Sequence, residues 1–182
     1  MATKQTPEKF PRVDFQSPKG RARYPHLNKP DTAFNKTEYK TDLIVDPDDA
    51  MHLVQAANQL AQEYLADEKD VHLPFKTVDG QLVMTCKSNY APKFYDAPGN
   101  PIPSSQVPEL WGGSVLKLKG SMQCYKNGAN AGVKLYLSSV MIIDPKSGAE
   151  AGGAFEPEEG FTLEASPFDA EEPSENALYN AE

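Results

Sequence analysis

"GGSVLKLKGSMQCYKNGANAGVKLYLSSVMIID", residues 112–144, is the stretch on which the reading of the chain turns. Leu116 and Leu118 alternate with Lys117 and Lys119, and the second set continues through Ser121, Gln123 and Tyr125. A period of two belongs to a strand whose two faces meet different surroundings. "KNGANAG" (126–132) carries the asparagines and glycines of a turn. The return limb repeats the pattern, with Val133, Leu135 and Leu137 on one face and Lys134, Tyr136 and Ser138 on the other. The expectation is a long hairpin with an aliphatic side turned inward and a side of lysines and tyrosines turned outward.

Working outward, "EYKTDLIV" (38–45) alternates as well, with Tyr39, Thr41, Leu43 and Val45 sharing a face. "QLVMTCKSNY" (81–90) follows the turn signal Asp79–Gly80 and is read as a strand with Leu82, Met84 and Cys86 inward. Val83, Thr85, Lys87 and Asn89 then face outward. "GRARYPHL" (20–27) is read as a short strand and "NKPDTAFNKT" (28–37) as loop or hairpin. Residues 1–19 are polar and proline-bearing, with Phe10 and Phe15 as anchors. Residues 91–110 hold five prolines and form a long excursion, read as a hairpin turning at "APGN". One helix is expected over about 47–66: Asp46 is a good N-cap, Pro47 suits the first turn, and Asp48 and Asp49 face the positive dipole end. Its apolar stripe reads Met51, Val54, Ala57, Leu60, Ala61, Tyr64 and Leu65. Strand-rich segments around a single helix favour a mainly β protein built on a small barrel over a layered α/β fold.

Charge is distributed unevenly. The 182 residues carry a net −8. Residues 145–182 hold ten acids against Lys146, a net −9, so 1–144 carry +1. Within that body the helical segment 45–71 is −6, and the remainder is +7. The sequence therefore divides into a domain over 1–144 and an acidic segment over 145–182, expected to pack in part to about residue 165 and to be disordered beyond. No apolar run is long enough to span a membrane, and the first residues lack the apolar stretch of a secretory signal. Cys86 and Cys124 are distant in sequence and read as small core residues. Neither a metal nor another cofactor is expected. The sequence contains no GxxxxGKS/T phosphate loop, no HExxH and no GxSxG, which lowers the expectation of an enzyme.

Lysines on an outward strand face attract phosphate through counterion release, and tyrosines beside them offer flat rings to bases not engaged in a duplex. That pairing points to single-stranded nucleic acid bound with little sequence preference. An ordinary solvated sheet face is the bland alternative. Phe94 and Tyr95 on the excursion are further stacking candidates, and Arg21 and Arg23 are candidates for backbone contact. Trp111, beside Gly112 and Gly113, fits either a packing plug or a stacking platform.

The ordered set "NKPD" (28–31), "EYKTDLIV", "QLVMTCKSNY" and "GGSVLKLKGSMQCYKNGANAGVKLYLSSVMIID" resembles the single-stranded DNA-binding proteins of tailed bacteriophages, the type of the short-tailed coliphages. The likeness covers most of 20–144. It implies an OB-fold, a five-stranded Greek-key barrel with one α-helix between the second and third strands, followed by an acidic C-terminal tail. It implies replication and recombination work in the cytoplasm of an infected bacterium, on a DNA face holding Lys117, Lys119, Tyr125, Lys134 and Tyr136, with Lys87 on the neighbouring strand. The implied partners are single-stranded DNA and the phage DNA polymerase and helicase–primase. By its own charge, the net −9 segment tethered to a basic groove is expected to compete with DNA, so that its removal adds duplex DNA as a partner; a second copy of the chain is a further expected partner. The chain ends "ENALYNAE", with sparser acids and Tyr179 three residues from the terminus, where such relatives end in a dense acidic run closed by an aromatic residue. An OB-type adaptor between proteins, with weak DNA contact, is the alternative from a different class.

Overall fold

The computed structural model describes residues 10–146. In chain order its regular elements are β1 (Arg12–Gln16), β2 (Gly20–Asp31), β3 (Glu38–Val45), α1 (Pro47–Tyr64), β4 (Val71–His72), β5 (Phe75–Val78), β6 (Gln81–Ser88), β7 (Lys93–Tyr95), β8 (Pro101–Ile102), β9 (Val115–Asn127) and β10 (Asn130–Asp144). The protein is mainly β with one α-helix among the described residues, as expected. Apart from Pro145 and Lys146, the acidic segment 145–182 lies outside the described residues.

β9 and β10 form the long hairpin read from the sequence, paired antiparallel from Asn127–Asn130 to Val115–Asp144 with register shifts beside Ser138 and Ile143. β2 pairs with β9, β3 with β2, β6 with β3, and β10 with β6, so these five strands are joined in a closed circuit. The β6–β10 contact is parallel. The enclosed core takes Leu116, Leu118, Met122 and Cys124 from β9 and Val133, Leu135, Leu137, Val140 and Ile142 from β10. Each fully buried Leu contributes about 1.5–3 kcal/mol. A one-residue slip would exchange Leu135 and Leu137 for Lys134 and Tyr136, so the core fixes which face is outward.

α1 starts where expected: the Asp46 carboxylate accepts from the backbone N–H of Asp48 at 2.8 Å and of Asp49 at 3.4 Å. Its buried residues are Ala50, Leu53, Ala57 and Leu60, a stripe rotated from the expected one, and Met51 and Tyr64 are exposed. Two alanines in that stripe let the helix approach closely, and Cys124 Sγ on β9 lies 3.5 Å from the carbonyl oxygen of Leu60. Tyr64 is held edge-on against Phe10, ring centroids 6.1 Å apart. Phe15 is buried in the core, as an anchor should be.

Four local readings are corrected. β1 was not expected as a strand: five polar-rich residues become extended because β9 offers them a free edge, from Arg12 opposite Gln123 to Gln16 opposite Lys119. β2 runs past Leu27 to Asp31, through two prolines, and its pairing with β3 is irregular there. Tyr24 within it has φ +46°. Val83 is fully buried instead of outward, lying between Ile44 on β3 and Lys76 on β5 in the middle of three strands. β6 itself ends at Ser88, two residues early. The excursion does fold as a hairpin, β7 on β8, with Asp96 accepting from the backbone N–H of Asn100 at 2.7 Å and from its side-chain amide at 3.1 Å.

Candidate nucleic-acid interface

The outward side of the β9–β10 ribbon is fixed by register. Tyr125 lies opposite Gly132, Gln123 opposite Lys134, Ser121 opposite Tyr136, Lys119 opposite Ser139 and Lys117 opposite Met141. Neighbouring strands widen the same side. Arg12 on β1 stands beside Gln123, Lys87 on β6 beside Tyr136, and Lys93 and Tyr95 on β7 beside Ser139 and Met141. From Tyr125 to Lys117 the ribbon runs roughly 26 Å at about 3.3 Å per residue. Lys117, Lys119, Lys134, Tyr125 and Tyr136 are thus brought to one surface, and Tyr125 is half-buried, not sealed inside.

Two clefts indent this surface. The first, of about 200 Å³, is lined by Tyr125, Lys134, Tyr136 and Lys87 with His72 and Phe75. The second, of about 560 Å³, is lined by Lys93, Tyr95, Lys117, Lys119, Ser138 and Met141. In the first, the Lys134 ammonium sits 4.5 Å from the Tyr125 ring centroid. The Arg12 guanidinium lies 5.7 Å from the Tyr136 centroid, steadied by an Nε donation to Gln123 Oε1 at 3.3 Å. Gly132 makes room for the first ring: a Cβ there would stand 2.9 Å from Tyr125 and 2.3 Å from the carbonyl oxygen of His72.

Ion pairing separates the lysines into two classes. Among the described residues, carboxylates engage Lys40 (Asp31, 2.5 Å), Lys76 (Asp42, 3.1 Å), Lys87 (Glu38, 3.7 Å), Lys126 (Glu68) and Lys146 (Asp144, 3.1 Å). Among the described residues none engages Lys93, Lys117, Lys119 or Lys134 on this surface, nor Lys19, Lys29, Lys36 or Lys69 elsewhere. Among the described residues no carboxylate competes for the four ammonium groups on this surface, while a phosphate at Lys87 would compete with Glu38.

The remaining sequence candidates divide. Phe94 is corrected: it is 8% exposed, faces Val140 across the β7–β10 pair and belongs to the core, so its ring is closed to bases. β7 continues the sheet beside β10, and alternation turns Phe94 inward and Tyr95 outward. Arg21 and Arg23 line a different cleft, described below, although Arg21 stands opposite Val115, two residues beyond Lys117. Arg12 and Lys93 were missed. Neither carries a periodic signal of its own, and each reaches the interface only because a short strand docks on the hairpin's edge.

The cysteines are inert structural residues: burial pushes both thiols upward, Cys86 most strongly. Among the described residues no three His, Cys, Asp or Glu side chains gather as a metal site, and no helix is long and apolar enough to cross a membrane.

No protein-family model matches the sequence, and no curated protein matches it. Solved structures do. Similarity to gp2.5, a single-stranded DNA-binding protein encoded by bacteriophage T7, has TM-score 0.66 at 24% identity over 80% of this chain and 98% of that one. The single-stranded DNA-binding protein from bacteriophage Enc34, as a C-terminal truncation, gives 0.61 at 16% identity over 74% and 87%. The same protein in complex with single-stranded DNA gives 0.59 at 16% identity over 74% and 88%. The chain has the fold of these phage proteins.

Proposed function

We propose that this chain is a bacteriophage single-stranded DNA-binding protein that coats exposed strands with little sequence preference. The carrying observation is the ribbon itself: four lysines without carboxylate partners among the described residues share one surface with Tyr125, Tyr136 and Tyr95. Lysines hold phosphates by counterion release, and each ring accepts any base by stacking, worth about 1–3 kcal/mol. The names of the structural neighbours support the same ligand. The five-strand circuit is read as an OB-fold with α1 between its second and third strands, and the protein as non-catalytic.

The acidic 145–182 segment, net −9, is read as an intramolecular competitor for the ribbon, acting at high effective concentration. Its removal then opens the surface to duplex DNA as well. Its second role is recruitment of the phage polymerase and helicase–primase during replication and recombination in the cytoplasm of the infected bacterium. Self-association into a homodimer belongs to this reading too.

The test is fluorescence anisotropy of labelled oligo(dT) titrated with the full chain over a salt series. A linear fall of log affinity with log salt, near −0.7 per phosphate engaged, is expected. Weak binding with a flat salt response would instead favour a protein–protein adaptor.

A further inference from the structure

A second cluster of rings and cations lies where β2 and the 110–113 segment meet. Tyr24 is 70% exposed and Trp111 is 43% exposed, far more than the ring of a packing plug. They line one cleft of about 690 Å³ with Arg21, Arg23 and His26, and Asp79 is its one carboxylate among the described residues. The Arg23 guanidinium lies 5.4 Å from the Tyr24 ring centroid. Tyr24 holds φ +46°, a conformation costly for an aromatic residue, at the irregularity where β2 loses register with β3 between Arg23 and His26. The result of that irregularity is a large ring held out in water beside an arginine. Strain of this kind gathers at binding sites.

We infer that this cleft is a second single-stranded DNA subsite, in which Tyr24 and Trp111 stack on bases and Arg21 and Arg23 hold the adjoining phosphates. Arg21 makes the site continuous with the ribbon. It stands opposite Val115, two residues past Lys117 on the same side, roughly 7 Å further along. A strand leaving Lys117 therefore passes Arg21 and enters the cleft, so the DNA path turns around the barrel instead of ending at the hairpin. The inference rests on the single-stranded DNA reading and adds to its footprint.

Trp111 is the only tryptophan in the sequence, so its fluorescence, excited selectively, reports on this cleft in the full chain. The experiment pairs that signal with anisotropy of labelled oligo(dT) of increasing length. The wild type is compared with Tyr24→Gly and Arg23→Gln/Tyr24→Gly; glycine removes the ring while accepting the positive φ. Expected is Trp111 quenching only with oligonucleotides long enough to pass beyond the ribbon. Expected too is roughly tenfold weaker binding of those long oligonucleotides by the variants, with short ones unaffected. Oligo(dT) binding by anisotropy with Trp111 unmoved, or with long-oligonucleotide affinity unchanged in the variants, overturns the subsite and leaves the ribbon standing. A Trp111 signal that follows protein concentration without DNA assigns the cleft to self-association and also overturns it. Absence of all oligo(dT) binding overturns both readings.

Discussion

The ammonium of Lys134 on β10 sits 4.5 Å from the ring centroid of Tyr125 on β9. The two residues are diagonal neighbours, because Tyr125 is directly opposite Gly132 and Lys134 opposite Gln123. Cation and ring thus form one unit at the head of the ribbon. On the single-stranded DNA reading, the ring takes a base and the ammonium beside it takes the adjoining phosphate.

Substitutions in that unit separate its two contributions. Tyr125→Ala is expected to weaken oligo(dT) binding by about 1–3 kcal/mol, while Tyr125→Phe retains most of it, because stacking uses the ring and not the hydroxyl. Lys134→Gln should shallow the salt dependence by about 0.7 in slope. Anisotropy titrations at several salt concentrations measure both.

The two classes of lysine should behave differently. Lys117→Gln combined with Lys119→Gln is expected to reduce the salt slope by about 1.4. Lys40→Gln removes a lysine already held by Asp31 at 2.5 Å and should change affinity by less than about twofold. An equal loss from both would mean that only net charge matters, not the surface on which the lysines lie.

Gly120 tests the packing beneath the ribbon. A Cβ there would stand 1.8 Å from the carbonyl oxygen of Tyr136 and 3.2 Å from the Phe15 ring. Since the first obstacle is backbone, Gly120→Ala is expected to cost roughly 3 kcal/mol, at the upper end of single substitutions. The shift of the urea midpoint relative to wild type gives the value.

The β7–β8 turn should be sensitive to acid. Backbone and side-chain donation from Asn100 holds the Asp96 carboxyl below its ordinary 3.8. A depressed folded value stabilises the turn above pH 3.8, and that stabilisation is lost as pH falls through the folded value. Amide exchange at Gly99 and Asn100 should therefore gain protection-loss events below pH 3.8 in the wild type. Asp96→Asn should show no such acid step.

Deleting 145–182 should tighten oligo(dT) binding at fixed salt and give measurable duplex binding. An affinity unchanged by the deletion would leave the segment no part in competition at the ribbon.

The outward surface was legible because the period of two in 116–125 and 133–137 is strict, and a buried aliphatic face leaves the lysines only one place to go. The same logic made β3 readable to the residue, from Glu38 to Val45. What escaped has no local signal. Arg12–Gln16 is too short and too polar to declare itself, and Lys93–Tyr95, inside an excursion read as a hairpin, is too short to show which face turns inward; the edge of the long hairpin settles both. Phe94 was misread for the same reason: without knowing that β7 docks on β10, nothing says which of Phe94 and Tyr95 turns inward. The expected helix stripe shared Ala57 and Leu60 with the buried one but missed Ala50 and Leu53, because an alanine at 50 is weak as a hydrophobic marker and the start of the stripe was set by Met51.

β10 touches β9 along one edge and β4, β6 and β7 in succession along the other. During synthesis, four segments must therefore wait for a partner that leaves the ribosome after all of them. Non-local pairings of this kind fold slowly. A nascent chain halted before residue 144 has no sealed interior and only part of the β9–β10 ribbon, so on the single-stranded DNA reading competence to bind arrives abruptly, with the final residues of one strand.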